Sequence, residues 1–124
     1  MNLRTFLIVA AVLALGYGLG LTLMPAVMNT TYGFGTSGSE ILLARFFGVE
    51  LLALGVVAWM SKDLNGASVR PIITGSLVAD TLGAIFALMG TISGVMNSVG
   101  WSAFAIYFLL TLGFAYFQFM APAK

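Results

Sequence analysis

An all-α bundle of four transmembrane helices, with both termini on the cytoplasmic side, is the fold class that this 124-residue sequence predicts. Composition points there first: 60% of residues are hydrophobic and 7% charged, where an ordinary soluble domain carries about a quarter charged residues. Mean hydropathy is correspondingly high, at +1.07. The second observation is that the apolar residues gather into four stretches, each close to the roughly 20 residues that a helix needs to cross the hydrocarbon core. The third is the placement of the basic residues outside these stretches, which all fall on one side of the predicted crossings.

The first span covers about residues 6–28 and is broken near its end by Pro25. Its apolar run is longer than the roughly 7–15 residues of a signal-peptide core, and no Ala-x-Ala site follows, so it is expected to remain as a span. The second, residues 41–60, is the most regular. The third, residues 71–93, starts at Pro71, whose missing N–H is not needed in a first helical turn. The fourth covers residues 101–120. None shows the polar face of a soluble bundle helix. The four spans fill the chain as a single transmembrane domain.

Arg4, Lys62, Arg70 and Lys124 all fall on one side of these spans, while residues 29–40 and 94–100 contain no Lys or Arg. The positive-inside rule therefore places both termini in the cytoplasm. Trp59, Trp101, Tyr32 and Tyr116 lie near span ends, where amphipathic rings favour the headgroup region. The Gly-, Ser- and Thr-rich segment from Asn29 to Glu40 reads as a connector, or alternatively as a lid over an outward-facing cavity. Leu51 to Trp59 faintly resembles Leu109 to Phe117, as two related hairpins would.

Several classes of chemistry are excluded or disfavoured. The net charge of +1 gives no basic surface for nucleic acid. The absence of Cys and His removes thiolate and imidazole metal sites and nucleophiles dependent on them. Met24, Met28 and Met96 without such support read as flexible packing rather than as copper ligands. No catalytic residue, metal site or cofactor is expected.

The residues that stand out are the intramembrane charges Arg45, Glu50 and Asp80. Such groups normally face a bundle interior, pair with one another or mark a path for ions or substrate. Glu50 and Asp80 both fall near the middle of their spans. Five residues separate Arg45 from Glu50, which puts them about 140° apart around the helix, so only one can face the third span squarely. Arg45 is expected either to snorkel outward or to reach Asp80.

Small residues define the packing faces. Ser76, Asp80, Gly83, Ala87, Gly90 and Gly94 form a stripe on the third span, and Arg45, Gly48, Leu52, Gly55 and Trp59 form one on the second. These two stripes are expected to meet. Gly16 and Gly20 mark a further packing face on the first span. Ser76, Tyr107, Thr111 and Gln118 are candidates for polar lining of a cavity or for hydrogen bonds across the bundle.

The pattern Ala44-Arg45, Gly48, Leu52, Leu54-Gly55, Trp59, followed by a short basic loop and Ala79-Asp80 with Gly83, resembles small bacterial four-helix membrane proteins, the DoxX-like and related uncharacterised families. The resemblance spans all four helices on a handful of positions. It implies a bacterial inner-membrane location, singles out Arg45, Gly48 and Asp80, and brings in members that resemble subunits of quinone-linked respiratory complexes. The leading expectation is a non-catalytic accessory or scaffold subunit of a membrane complex, or a homo-oligomer. The alternatives are a small proton- or ion-coupled carrier or channel using Asp80 and Glu50, and a protein that binds a lipid or quinone.

Overall fold

A computed structural model describes residues 1–121. Among these residues the structure is helical: α1 (Leu3–Leu23), α2 (Pro25–Tyr32), α3 (Gly38–Ser61), α4 (Arg70–Ile92) and α5 (Gly100–Ala115), with a short 3₁₀ turn at Gly66–Ser68 before α4. The four long helices have the length and apolarity to cross a membrane, and the chain is a multi-pass membrane protein.

Local chemistry sets the boundaries. Asn2 caps α1 by accepting the Thr5 N–H at 2.9 Å. α1 stops at Met24 because the residue before a proline is forced out of the helical region, here to φ −132° and ψ 55°. Pro25 then serves as the first residue of α2, where no N–H is required. α2 runs on to Tyr32 and ends at Gly33, whose φ of 85° is left-handed. The segment expected to be a connector from Asn29 onward is thus helical through Tyr32, because no residue before Gly33 disfavours the helix that Pro25 starts.

Ser37 and Glu40 form a reciprocal capping box that starts α3 three residues earlier than residue 41. α4 carries Pro71 in its first turn, as expected. α5 continues into a wider π-helical turn over Tyr116–Met120, closed by the Ala121 N–H donating to the Tyr116 carbonyl at 2.9 Å. The expected span of residues 101–120 corresponds to α5 and this turn together. Lys124 of the basic set lies outside the described residues.

The helices pack as two hairpins, α1 with α3 and α4 with α5. Small residues let the first pair approach closely. An ideal Cβ on Gly48 would stand 2.6 Å from Thr22 Oγ1 and 2.9 Å from the Gly18 carbonyl, and one on Gly55 would stand 2.7 Å from Leu15. The stripe on α3 therefore faces α1, and the expected meeting of the α3 and α4 stripes does not occur. Gly83, on the α4 stripe, lies instead against the Tyr107 ring of its own hairpin. The proposed hairpin repeat is not kept in residue detail, since Gly55 meets its hairpin partner while Gly113 meets Phe6 of the other hairpin.

The hairpins are joined at both ends. Where the chain begins, Phe6, Leu7 and Ala10 of α1 pack with Val69 and Ile73 around α4's start and with Phe114 and Phe117 near the end of the last helix. Phe6 and Phe114 meet edge to face with centroids 4.7 Å apart. On the surface of this end Arg4 donates to Asp63 at 2.7 Å, which fixes the first turn of α1 beside the α3–α4 loop. At the opposite end the Asn97 N–H donates to the Tyr32 carbonyl and Asn97 Nδ2 to the Thr31 carbonyl, both at 3.0 Å. α2 is held there like a roof. Between these two ties the hairpins diverge.

Candidate functional site: a cleft between the two hairpins

The divergence leaves a cavity of about 580 Å³ with walls from every helix. Most of the wall is apolar. Leu13, Leu51, Ile106 and Leu110 are among the residues that form it, with Met28 and Phe34 under the roof. α3 and α4 hardly touch each other, and their lining side chains are open, with Leu43 65%, Phe47 46% and Phe86 64% accessible. Those on α1 and α5 are not. The cavity is therefore a cleft that opens sideways between α3 and α4, the side a bilayer would cover.

A small polar group sits within this apolar wall: Tyr17 from α1, Tyr32 from α2, Ser76 and Asp80 from α4, and Tyr107 from α5. The Tyr32 hydroxyl donates to the Tyr17 hydroxyl at 3.1 Å. The Tyr107 ring lies on Gly83, one turn from Asp80 on the same face of α4, and Asp80 lies within electrostatic reach of Tyr107. Among the described residues the Asp80 carboxyl has no ion-pair partner and no hydrogen-bond donor. An intramembrane acid without a partner has its hydrogen-bonding capacity available to whatever enters the cleft.

The three charges singled out from sequence are not brought together. Arg45 is exposed and its Nε donates to the Thr22 carbonyl at 3.4 Å, one hairpin away from Asp80. This is the outward alternative, and the reach to Asp80 is not made. Glu50 is exposed on the outer face of α3 and does not line the cleft. Its neighbours on the buried side are Gly48 and Leu52, which α1 covers. Only Asp80 of the three faces the cavity.

The other singled-out positions divide similarly. Ser76 and Tyr107 line the cleft. The Thr111 hydroxyl donates back to the Tyr107 carbonyl at 2.8 Å within its own helix, and Gln118 accepts from Thr74 at 3.4 Å on an exposed part of the α4–α5 seam. Neither is a lining residue. Gly20 packs on Met28 and Gly90 on Met96, whereas a Cβ on Gly16 would meet nothing within 4 Å. Gly16 is thus not a packing position within the chain.

Tyr17, Tyr32 and Asn29 are the site residues that sequence reasoning did not single out. Asn29 is buried and donates to the Gly35 and Glu40 carbonyls, at 3.1 and 3.3 Å, tying α2 to the start of α3. The available signal was a tyrosine in the middle of a glycine-rich apolar helix, Gly16-Tyr17-Gly18, whose hydroxyl requires a partner when buried.

The fold and the cleft define a class: a multi-pass helical membrane protein with a laterally open, largely apolar cavity and a polar cluster that runs from Asp80, midway along α4, to Tyr32 in the roof. No family model, curated protein or solved structure matches this chain.

Proposed function

We propose that this chain binds a lipophile with a small uncharged polar head, such as a quinone, and that the cleft between the hairpins is its site. The observation that supports this reading is the composition of one cavity: an apolar wall open to the bilayer, with Asp80 and Tyr107 near mid-span and Tyr17 between them and the roof. Its volume of about 580 Å³ falls within the roughly 300–1,000 Å³ of small-molecule pockets. A phospholipid is a poor fit, because its charged head belongs at the interface, about half the roughly 30 Å hydrocarbon thickness from Asp80. Carbonyl or hydroxyl oxygens match the cluster, since the tyrosines can donate and the carboxyl can accept or donate according to its protonation. This is a binding protein in this reading and not an enzyme.

Mass spectrometry of protein extracted in mild detergent tests the idea. A stoichiometric neutral lipophile is expected. Copurified phospholipid alone would reassign the cleft to bulk lipid, and no bound or bindable lipophile would refute the reading. Asp80→Asn and Tyr107→Phe each alter one hydrogen bond, so affinity for an added quinone should fall by about 2- to 12-fold, the equivalent of about 0.5–1.5 kcal/mol.

A second reading, that of an accessory subunit or homo-oligomer, is favoured by Glu50. An ionisable side chain exposed at mid-span with no ion-pair partner among the described residues is costly against lipid and less so against another protein. The glycine stripes do not add to this reading, because Gly48, Gly55 and Gly83 are covered within the chain. Kinship with the DoxX-like families, on the positions from Ala44 to Gly83, belongs to the proposal as well, as does an inner-membrane orientation with the Arg4 end in the cytoplasm.

A further inference from the structure

We infer that Asp80 exchanges its proton with the aqueous phase at the α2 end of the bundle alone, along a file of tyrosine hydroxyls, so that the cleft has separate routes for lipophile and proton. The inference rests on the reading of the cleft as the functional site. It goes further by giving that site a sidedness.

The argument comes from what lies on either side of Asp80. Toward the Arg4 end, Ser76 is one turn away and Ile73 one turn beyond it, about 10 Å in all at 1.5 Å per residue. Ile73 is 1% exposed and belongs to the plug that Phe6, Leu7, Val69, Phe114 and Phe117 complete. The buried side chains of that plug are all apolar, so they offer a proton no donor or acceptor. Toward the α2 end the sequence of groups is different. Tyr107 lies within electrostatic reach of Asp80, and Tyr17 and Tyr32 lie within reach of Tyr107. Tyr17 and Tyr32 are already hydrogen-bonded to each other, and Tyr32 belongs to the roof helix. Beyond them Asn29 and Glu40 border the cavity where it approaches the surface.

Every titratable or charged group that faces the cavity belongs to this file or its mouth: Tyr17 from α1, Tyr32 from α2, Glu40 from α3, Asp80 from α4 and Tyr107 from α5. Arg45 and Glu50 lie elsewhere on α3. A cavity of this size with such partners also has room for bridging waters between hydroxyls not in direct contact. The transfer balances simply. Each hydroxyl or water accepts one proton and releases another, so the carboxylic acid becomes a carboxylate and a water at the α2 end becomes hydronium, with no electrons moved. A ligand head that hydrogen-bonds Asp80 would then take up or release protons on one side of the membrane only.

The test is infrared spectroscopy on proteoliposomes sorted by an N-terminal tag into vesicles with the α2 end outward and vesicles with it inward. The protonated-carboxyl band that Asp80→Asn removes reports the residue. With the α2 end outward, an external acid jump should raise the band at once. With it inward, the same jump should do nothing until a protonophore is added. Tyr32→Phe and Tyr17→Phe, which keep the rings, should slow the response on the order of 100-fold. Response from the Arg4 end, equal response from both ends, a band that never titrates, or unchanged rates in both tyrosine variants would each overturn the inference. Quinone binding measured on the same vesicles separates the two ideas, since binding with the wrong sidedness defeats only the proton route, and correct sidedness without binding defeats only the ligand.

Discussion

Replacing Gly48 with alanine is the sharpest test of how the first hairpin is held. Ordinary contact begins near 3.4 Å, and the new methyl carbon would stand 2.9 Å from both the Gly18 carbonyl oxygen and Leu21 Cβ, an overlap of 3.4 − 2.9 = 0.5 Å with each. With Thr22 Oγ1 the separation is 2.6 Å, an overlap of 3.4 − 2.6 = 0.8 Å. The first two are backbone or backbone-fixed atoms, so no side-chain rotation relieves them and the helices must separate. Overpacking of this kind costs about 1–3 kcal/mol. Alanine's better helix propensity returns up to about 1 kcal/mol in any helical glycine, so relative to a glycine-to-alanine change in open space the overlap should cost the full amount, about 1–3 kcal/mol, or about 5- to 150-fold in the folding equilibrium. Reversible unfolding in mixed micelles measures this, with Gly16→Ala as control because its methyl would meet nothing within 4 Å. Equal stability of Gly48→Ala and Gly16→Ala would refute the packing argument.

Three further outcomes follow from features elsewhere in the bundle. Phe6→Ala removes the ring at the centre of the aromatic plug and should cost about 3–5 kcal/mol in the same unfolding assay. Glu50→Leu should stabilise the isolated chain in a bilayer by on the order of 3 kcal/mol, since it exchanges an exposed mid-span acid for an apolar side chain; a loss of stability or of assembly would show that another chain covers this face. Asp63 responds to pH: its hydrogen bond from Arg4 holds the carboxyl below the usual range. A lowered folded-state value means the pair's small contribution is present above the ordinary Asp value of about 3.9 and fades as pH falls through the lowered one. Melting curves from neutral to strongly acidic pH should show this weakening in wild type and not in Asp63→Asn.

The spans were legible because apolar length alone decides them, and α3, α4 and α5 with its π-helical turn lie within a turn of where hydropathy puts them. α2 was not, although Pro25 was noticed, because a proline that breaks one helix also starts the next and composition does not say which effect governs. Ser37-Gly-Ser-Glu40 carried a capping-box signature that marks the start of α3 three residues early. Helix pairing was the larger failure. Small residues show that some backbone comes close but carry no label for the partner, so the Gly48 and Gly55 stripe fits a neighbour on either side equally well. Asp80 lies midway along α4 and lines the cleft, not the α3 stripe it was expected to meet, while Glu50, at similar depth, faces out. Depth follows from counting residues, but facing depends on which neighbour claims the glycine side of α3.

Because Asn97 fastens the roof at one end and the Phe6 cluster locks the other, the two hairpins cannot swing apart as jaws about a single hinge. The motion these two ties leave is a bowing at the waist, with the ends stationary. A guest would thread its tail through a lengthwise slit and leave by the same slit, while the aromatic seal at the Arg4 end stayed shut throughout.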